Sequence, residues 1–201
     1  MKLLLATGNP GKLVEVREIL GGAGLELVSL ADLHLPSPDE PFSTFAENAA
    51  AKATACAVQS GLWALGDDSG LCVDALGGAP GVFSARYAPT EEGRRAKLLA
   101  NLAEVRDRGA HFICALALSS PDGKRIFRAE GRVDGAIALA ARGKNGFGYD
   151  PLFLPREAPG RTLAELESTE KNRLSHRGRA LERLRPLILK LAKEGNLAEE
   201  C

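Results

Sequence analysis

The sequence predicts an α/β protein with a long mixed central sheet flanked by helices, and three observations carry that expectation. Short all-apolar runs such as Leu3-Leu4-Leu5-Ala6 read as buried strands. In the N-terminal half these runs alternate with capped segments whose apolar residues recur at helical spacing. Around the turn Pro121-Asp122-Gly123, the run 112–118 and a second one near Ile126 read as a hairpin, so the sheet is mixed. With 201 residues, 45% of them hydrophobic, the chain can bury a sizeable core, as one large domain or as two small lobes sharing a sheet.

Taken in order, Asn9 before Pro10 is a helix N-cap followed by proline at the first helical position. Val16, Ile19 and Leu20 continue that helix until Gly21-Gly22 end it, and a second strand is expected near residues 25–30. Residues 32–43 are rich in proline and acid and read as a mobile loop. Thr44-Phe45-Ala46-Glu47 has the spacing of a capping box and opens an alanine-rich helix that Gly61 closes. Residues 62–65 read as a strand ending at Asp67-Asp68-Ser69-Gly70, and the glycines and prolines between Leu76 and Pro89 imply a loop. Thr90 with Glu91 and Glu92 starts a helix carrying Leu98, Leu99, Leu102 and Val105. After the hairpin come a strand near 133–139, a glycine-rich loop and a last helix following Ser175. Pro186 should kink or restart that helix.

Composition excludes several classes of function. The 26 basic residues balance the 26 acidic ones, so no overall field draws the chain to nucleic acid or to an anionic membrane, and a phosphate site has to be built locally. The start, Met1 to Ala6, imitates an export signal, but Thr7-Gly8-Asn9-Pro10 cuts it short, and no later run is long enough to span a bilayer. Cys56, Cys72, Cys114 and Cys201 are scattered, which argues against a zinc site or a disulfide framework and points to a reducing cytoplasm.

The chemistry-bearing segments follow from local physics. Thr7-Gly8-Asn9-Pro10-Gly11-Lys12 joins a buried strand to a helix N-terminus, where backbone N–H groups and the helix dipole favour a phosphate; a well-capped surface helix is the plainer alternative. Adjacent carboxylates such as Asp67-Asp68 repel each other and call for a counter-charge, which magnesium would supply, with Glu40 of the loop as a candidate second ligand; a solvated acidic turn, and for Glu40 a solvated charge, are the plainer alternatives. Asn48 and Lys52, four apart, share a helix face and suit a phosphate chain, whereas Glu47 is foremost the capping-box acid. In Gly146-Phe147-Gly148-Tyr149-Asp150-Pro151 an aromatic between glycines can stack on a base. Lys171, Ser175, His176 and Arg177 cluster donors at a helix start.

Taken together, these segments resemble the inosine triphosphate pyrophosphatase family, in its bacterial dITP/XTP pyrophosphatase branch. The resemblance rests on Thr7-Gly8-Asn9 with Lys12, Phe45-x-Glu47-Asn48-Ala49 with Lys52, Asp67 to Leu71, Pro80-Gly81 with Ser84-Ala85-Arg86-Tyr87, Gly146 to Pro151, and Lys171 with Ser175-His176-Arg177. It implies a single domain over residues 1–201, made of two lobes with the active-site cleft between them, a homodimer, and cleavage of a nucleoside triphosphate to monophosphate and pyrophosphate. It further implies that Asp68 is the general base and that Glu40 and Asp68 hold magnesium. Thr7, Gly8, Asn9, Pro10, Gly11, Lys12, Lys52 and Ser69 would bind sugar and phosphates. Phe147, Gly148, Tyr149, Asp150, Lys171, His176 and Arg177 would surround the base. Two rivals stand beside this reading: a related pyrophosphatase acting on other modified nucleotides, and a nucleotide-sensing module without hydrolysis. Carboxylates beside lysines argue against mere sensing, since a polyanion binder gains little from them unless a metal joins.

Overall fold

The computed structural model describes residues 1–22 and 24–199; Cys201 lies outside them. Among the described residues, six strands and five α-helices follow one another: β1 Lys2–Ala6, α1 Pro10–Leu20, β2 Glu26–Ser29, α2 Phe45–Ser60, β3 Trp63–Val73, α3 Glu91–Asn101, β4 Gly109–Ser119, β5 Ile126–Ile137, β6 Phe153–Pro155, α4 Ser168–Leu174 and α5 His176–Glu199. The strands are ordered β2-β1-β3-β4-β5-β6 in one sheet. β1 runs parallel to β2 and β3, whereas β6 is antiparallel to β5, so the sheet is mixed as expected.

The chain divides into two compact units. The first comprises Met1–Asp68, Cys114–Gly131 and the chain from Arg177 onward; the second comprises Ser69–Ile113 and Arg132–His176. β3, β4 and β5 each contribute residues to both.

In the first unit β1 is covered on both faces, which is why it is apolar throughout. Leu3 and Leu5 join Val16 and Leu20 of α1 and Leu181, Leu184 and Ile188 of α5, whereas Leu4 and Ala6 join Cys56 and Ala57 of α2. The alternation is the period-2 pleat made visible. Gly66 shows how closely α2 lies on β3: a Cβ there would fall 2.2 Å from the carbonyl oxygen of Ala49 and 2.8 Å from the amide nitrogen of Ala53. Ala49 and Ala53 pack with Ala115 and Ala117 of β4, so small side chains let the helix backbone approach the sheet. The second unit has its own core of Leu71, Val73, Leu98, Leu102, Phe112, Val133 and Phe153, with the Phe112 and Phe153 rings 4.8 Å apart.

Several boundaries differ from the sequence expectation. β3 does not stop before Asp67 but runs to Val73. Its pairing with β1 ends at Ala6↔Gly66, so the two aspartates stand just past the end of the parallel neighbour while their own strand continues. The strands expected near 126 and 133–139 are one strand, β5. α3 ends at Asn101, leaving Leu102 and Val105 beyond it, and α5 continues through Pro186 rather than restarting. Two short 3₁₀ turns, Asp74–Leu76 and Gly81–Arg86, occupy the expected loop, and β6 and α4 carry no long periodic pattern that would announce them.

Candidate active site

The turn from β1 into α1 is held by its own side chains. Asn9 Oδ1 accepts from the backbone N–H of Gly11 at 2.9 Å and of Lys12 at 3.4 Å, and Thr7 Oγ1 accepts from the N–H of Asn9 at 3.2 Å. With Pro10 lacking an N–H and Leu13 donating to the Asn9 carbonyl, the first amides of α1 are satisfied internally. The helix therefore contributes chiefly the ammonium of Lys12. That ammonium lies 2.7 Å from Asp67 Oδ1 and 3.3 Å from the Asp67 carbonyl oxygen.

Lys52, on α2, reaches the same carbonyl at 2.6 Å. Two lysine ammonium groups thus converge on one backbone oxygen, a concentration of positive charge suited to a phosphate chain. Lys52 also donates to Glu40 Oε1 at 2.7 Å and lies 3.6 Å from Asp68 Oδ1. Asp68 Oδ2 accepts from Asn48 Nδ2 at 3.0 Å. Burial raises the Asp68 carboxyl above the ordinary carboxylate range, against the opposing pull of Lys52 and Lys12.

Asp67 and Asp68 are expected as a pair seeking one counter-ion, but the structure separates their roles. Asp67, 2% exposed, accepts from Arg177 Nε at 2.6 Å as well as from Lys12. Burial pushes its carboxyl up, yet Arg177 and Lys12 outweigh that and hold it well below the usual range. The protein supplies the counter-charge for Asp67, leaving Asp68 and Glu40 as the carboxylates that face a shared cation. Two carboxylates fit magnesium, which takes one or two from a protein and completes its shell with phosphates and water.

Arg177 joins the cluster in the first unit. Its guanidinium is 1% exposed and donates to both Asp67 and Glu15. A charge so deeply buried has to be paired, and these two carboxylates pair it. Glu15 received no role from the sequence, although its place three residues after Lys12 puts both on one face of α1. Cys114, buried beside Asp67 with its thiol pushed well above the usual range by burial, is no nucleophile.

The second unit holds the glycine loop. Gly146 has φ 74°, and a Cβ on it would strike Asp150 Oδ2 at 2.2 Å and Lys171 Nζ at 2.8 Å. Asp150 Oδ2 accepts from Lys171 Nζ at 2.5 Å and from the Phe147 N–H at 2.9 Å. The Lys171 ammonium stands 5.0 Å from the centre of the half-buried Phe147 ring. Gly148 offers its carbonyl to Arg95 Nη1 at 2.8 Å, a contact for which the sequence carried no signal. Tyr149 is drawn into the core and donates its hydroxyl to the Ser84 carbonyl at 3.0 Å, so its ring packs rather than presenting a face. Burial raises its phenol. His176 is likewise buried, its ring stacked on Phe112 at 4.7 Å and 8°. Ser69 is half-buried on β3.

Fold and site together define an α/β protein with a buried lysine-and-carboxylate cluster suited to a polyphosphate and a divalent cation. The chain belongs to the Ham1 family, whose model matches residues 3–187. It is 52% identical over 182 residues to the dITP/XTP pyrophosphatase of Gloeobacter violaceus, covering 90% of this chain and 91% of that protein. It is 50% identical over 188 residues to the dITP/XTP pyrophosphatase of Thermus thermophilus, covering 92% of this chain and 90% of that one. Among solved structures, a HAM1 protein from Coxiella burnetii matches with a TM-score of 0.84 at 43% identity, covering 94% of this chain and 99% of that chain.

Proposed function

We propose that the protein hydrolyses the non-standard purine nucleoside triphosphates ITP, dITP and XTP to the nucleoside monophosphate and pyrophosphate, clearing them from the nucleotide pool. The observation that carries this reading is the cluster in the first unit. There Lys12 and Lys52 converge on the Asp67 carbonyl while Glu40 and Asp68 face the Lys52 ammonium. Family membership and relatives named as dITP/XTP pyrophosphatases at about half identity support the substrate class.

Each residue then has a part. Lys12 and Lys52 bind phosphate oxygens, helped by the turn Thr7-Gly8-Asn9-Pro10-Gly11 and by Ser69. Asp68 takes the proton of the attacking water. Glu40 and Asp68 hold magnesium, which when bound supplies the charge neutralisation that phosphoanhydride cleavage requires. Arg177 and Glu15 hold Asp67, and with it the carbonyl on which both lysines rest. In the second unit, Phe147 offers a ring to a purine while Asp150 and Lys171 hold its loop. The reading includes a homodimer in the cytoplasm, a compartment that suits the free thiols of Cys56, Cys72 and Cys114. No helix among the described residues is long and apolar enough to cross a membrane.

The test is purified protein with ITP, dITP, XTP, GTP and ATP, with and without magnesium, and chromatographic identification of products. Pyrophosphate and monophosphate are expected from the first three, with kcat/KM at least about 100-fold above that for ATP. Release of orthophosphate and nucleoside diphosphate, or equal use of ATP, rejects the reading.

A further inference from the structure

Asn48 sits inside α2, a position where asparagine is a mediocre helix former, and it is 0% exposed. A buried amide must find partners, and this one uses both kinds of its hydrogen-bonding groups. Oδ1 accepts from the Phe42 N–H at 2.9 Å; Nδ2 donates to the Phe42 carbonyl at 3.1 Å and to Asp68 Oδ2 at 3.0 Å. The first two bonds give Phe42 the partner a neighbouring strand would give, and they anchor a segment that otherwise has no regular structure. Phe42 is two residues from Glu40. The third bond occupies one oxygen of Asp68 and turns the other, Oδ1, toward Lys52, the ammonium that also meets Glu40. The amide cannot be reversed, since a flip would set its NH₂ against the Phe42 N–H and its oxygen against both the Phe42 carbonyl and the carboxylate.

We infer that Asn48 is a positioning residue: one buried amide fixes the rotamer of Asp68 and pins the Glu40 segment to it, so that the two carboxylates are presented together. This rests on the proposed hydrolysis and adds to it. The amide's donors and acceptor are engaged by Phe42 and Asp68, which supports positioning as its part.

The experiment compares wild type, Asn48→Ala, Asn48→Asp and Thr44→Ala. The last weakens the start of the same helix, where Thr44 Oγ1 accepts from the Glu47 N–H, without touching Asp68. Three quantities are read: kcat and KM for ITP per folded molecule, melting temperature, and hydrogen exchange of residues 40–43. For Asn48→Ala, kcat should fall on the order of 10- to 100-fold, the range for removing a hydrogen bond to a charged group. Its KM should stay within about twofold, and exchange at 40–43 should speed up more than in Thr44→Ala. Asn48→Asp, which keeps the shape but faces Asp68 with a like charge, should be no better than alanine. Thr44→Ala should keep wild-type kcat. A raised KM at unchanged kcat would put the amide on the phosphates and overturn the inference, as would full kcat in folded Asn48→Ala. Unchanged exchange at 40–43 would overturn the link to Glu40. If wild type releases no pyrophosphate from ITP, the functional reading fails instead, and the exchange result still decides the anchoring.

Discussion

At the scale of single residues, the molecule separates two aspartates that look alike in sequence. Asp67 is paired by Arg177 and Lys12, while Asp68 keeps an oxygen toward Lys52, which also meets Glu40. Asp68→Asn keeps the volume but loses the basicity and half of the carboxylate pair. Turnover of ITP should drop by about 100-fold or more while circular dichroism and the melting curve stay near wild type. Retained turnover would remove Asp68 as the base. Arg177→Met makes the opposite kind of change. It leaves Asp67 and Glu15 buried without their cation, which should cost about 3–5 kcal/mol in urea unfolding and leave the ITP-to-ATP ratio of kcat/KM unchanged. A collapse of that ratio at full stability would return Arg177 to base recognition.

At the scale of elements, the decisive feature is how near α2 lies to β3. Asn48 and Lys52 reach Asp68 and the Asp67 carbonyl because Gly66 and a run of alanines remove the side chains that would keep the helix away. Gly66→Ala places a methyl on the helix backbone at Ala49 and should destabilise by about 1–3 kcal/mol, with a larger proportional loss of ITP turnover than a surface control such as Val58→Ala. Equal activity per folded molecule would show that the helix spacing does not set the site. The caps were readable from local chemistry. Asn9, Thr44 and Thr90 each accept a backbone N–H where their sequence position predicts it. The run-on of β3 through Asp67 was not readable, because two carboxylates in a strand look like a turn until the lysines and arginine that neutralise them are known.

At the scale of the whole molecule, the formal net charge is zero, so attraction for a polyphosphate depends on the local cluster and on any cation joining it. Two carboxylates alone make a weak magnesium site. Magnesium by itself should move the melting temperature little, whereas magnesium with a non-hydrolysable ITP analogue should raise it by several degrees, as ligand at about 100 Kd adds ~2.7 kcal/mol. Strong stabilisation by magnesium alone would point to a fuller ligand set than Glu40 and Asp68. The sequence by itself determined the α/β class, the capped helices and the hairpin, and it offered candidate polar segments, because each depends on neighbours a few residues apart. Only the tertiary structure decided which partners those polar groups take. Arg177 pairs with residues 110 and 162 positions away, and Asn48 with one 20 away. Whether a buried charge serves a ligand or another side chain depends on which partner desolvation brings to it, and that is settled when distant segments pack, not by spacing along the chain.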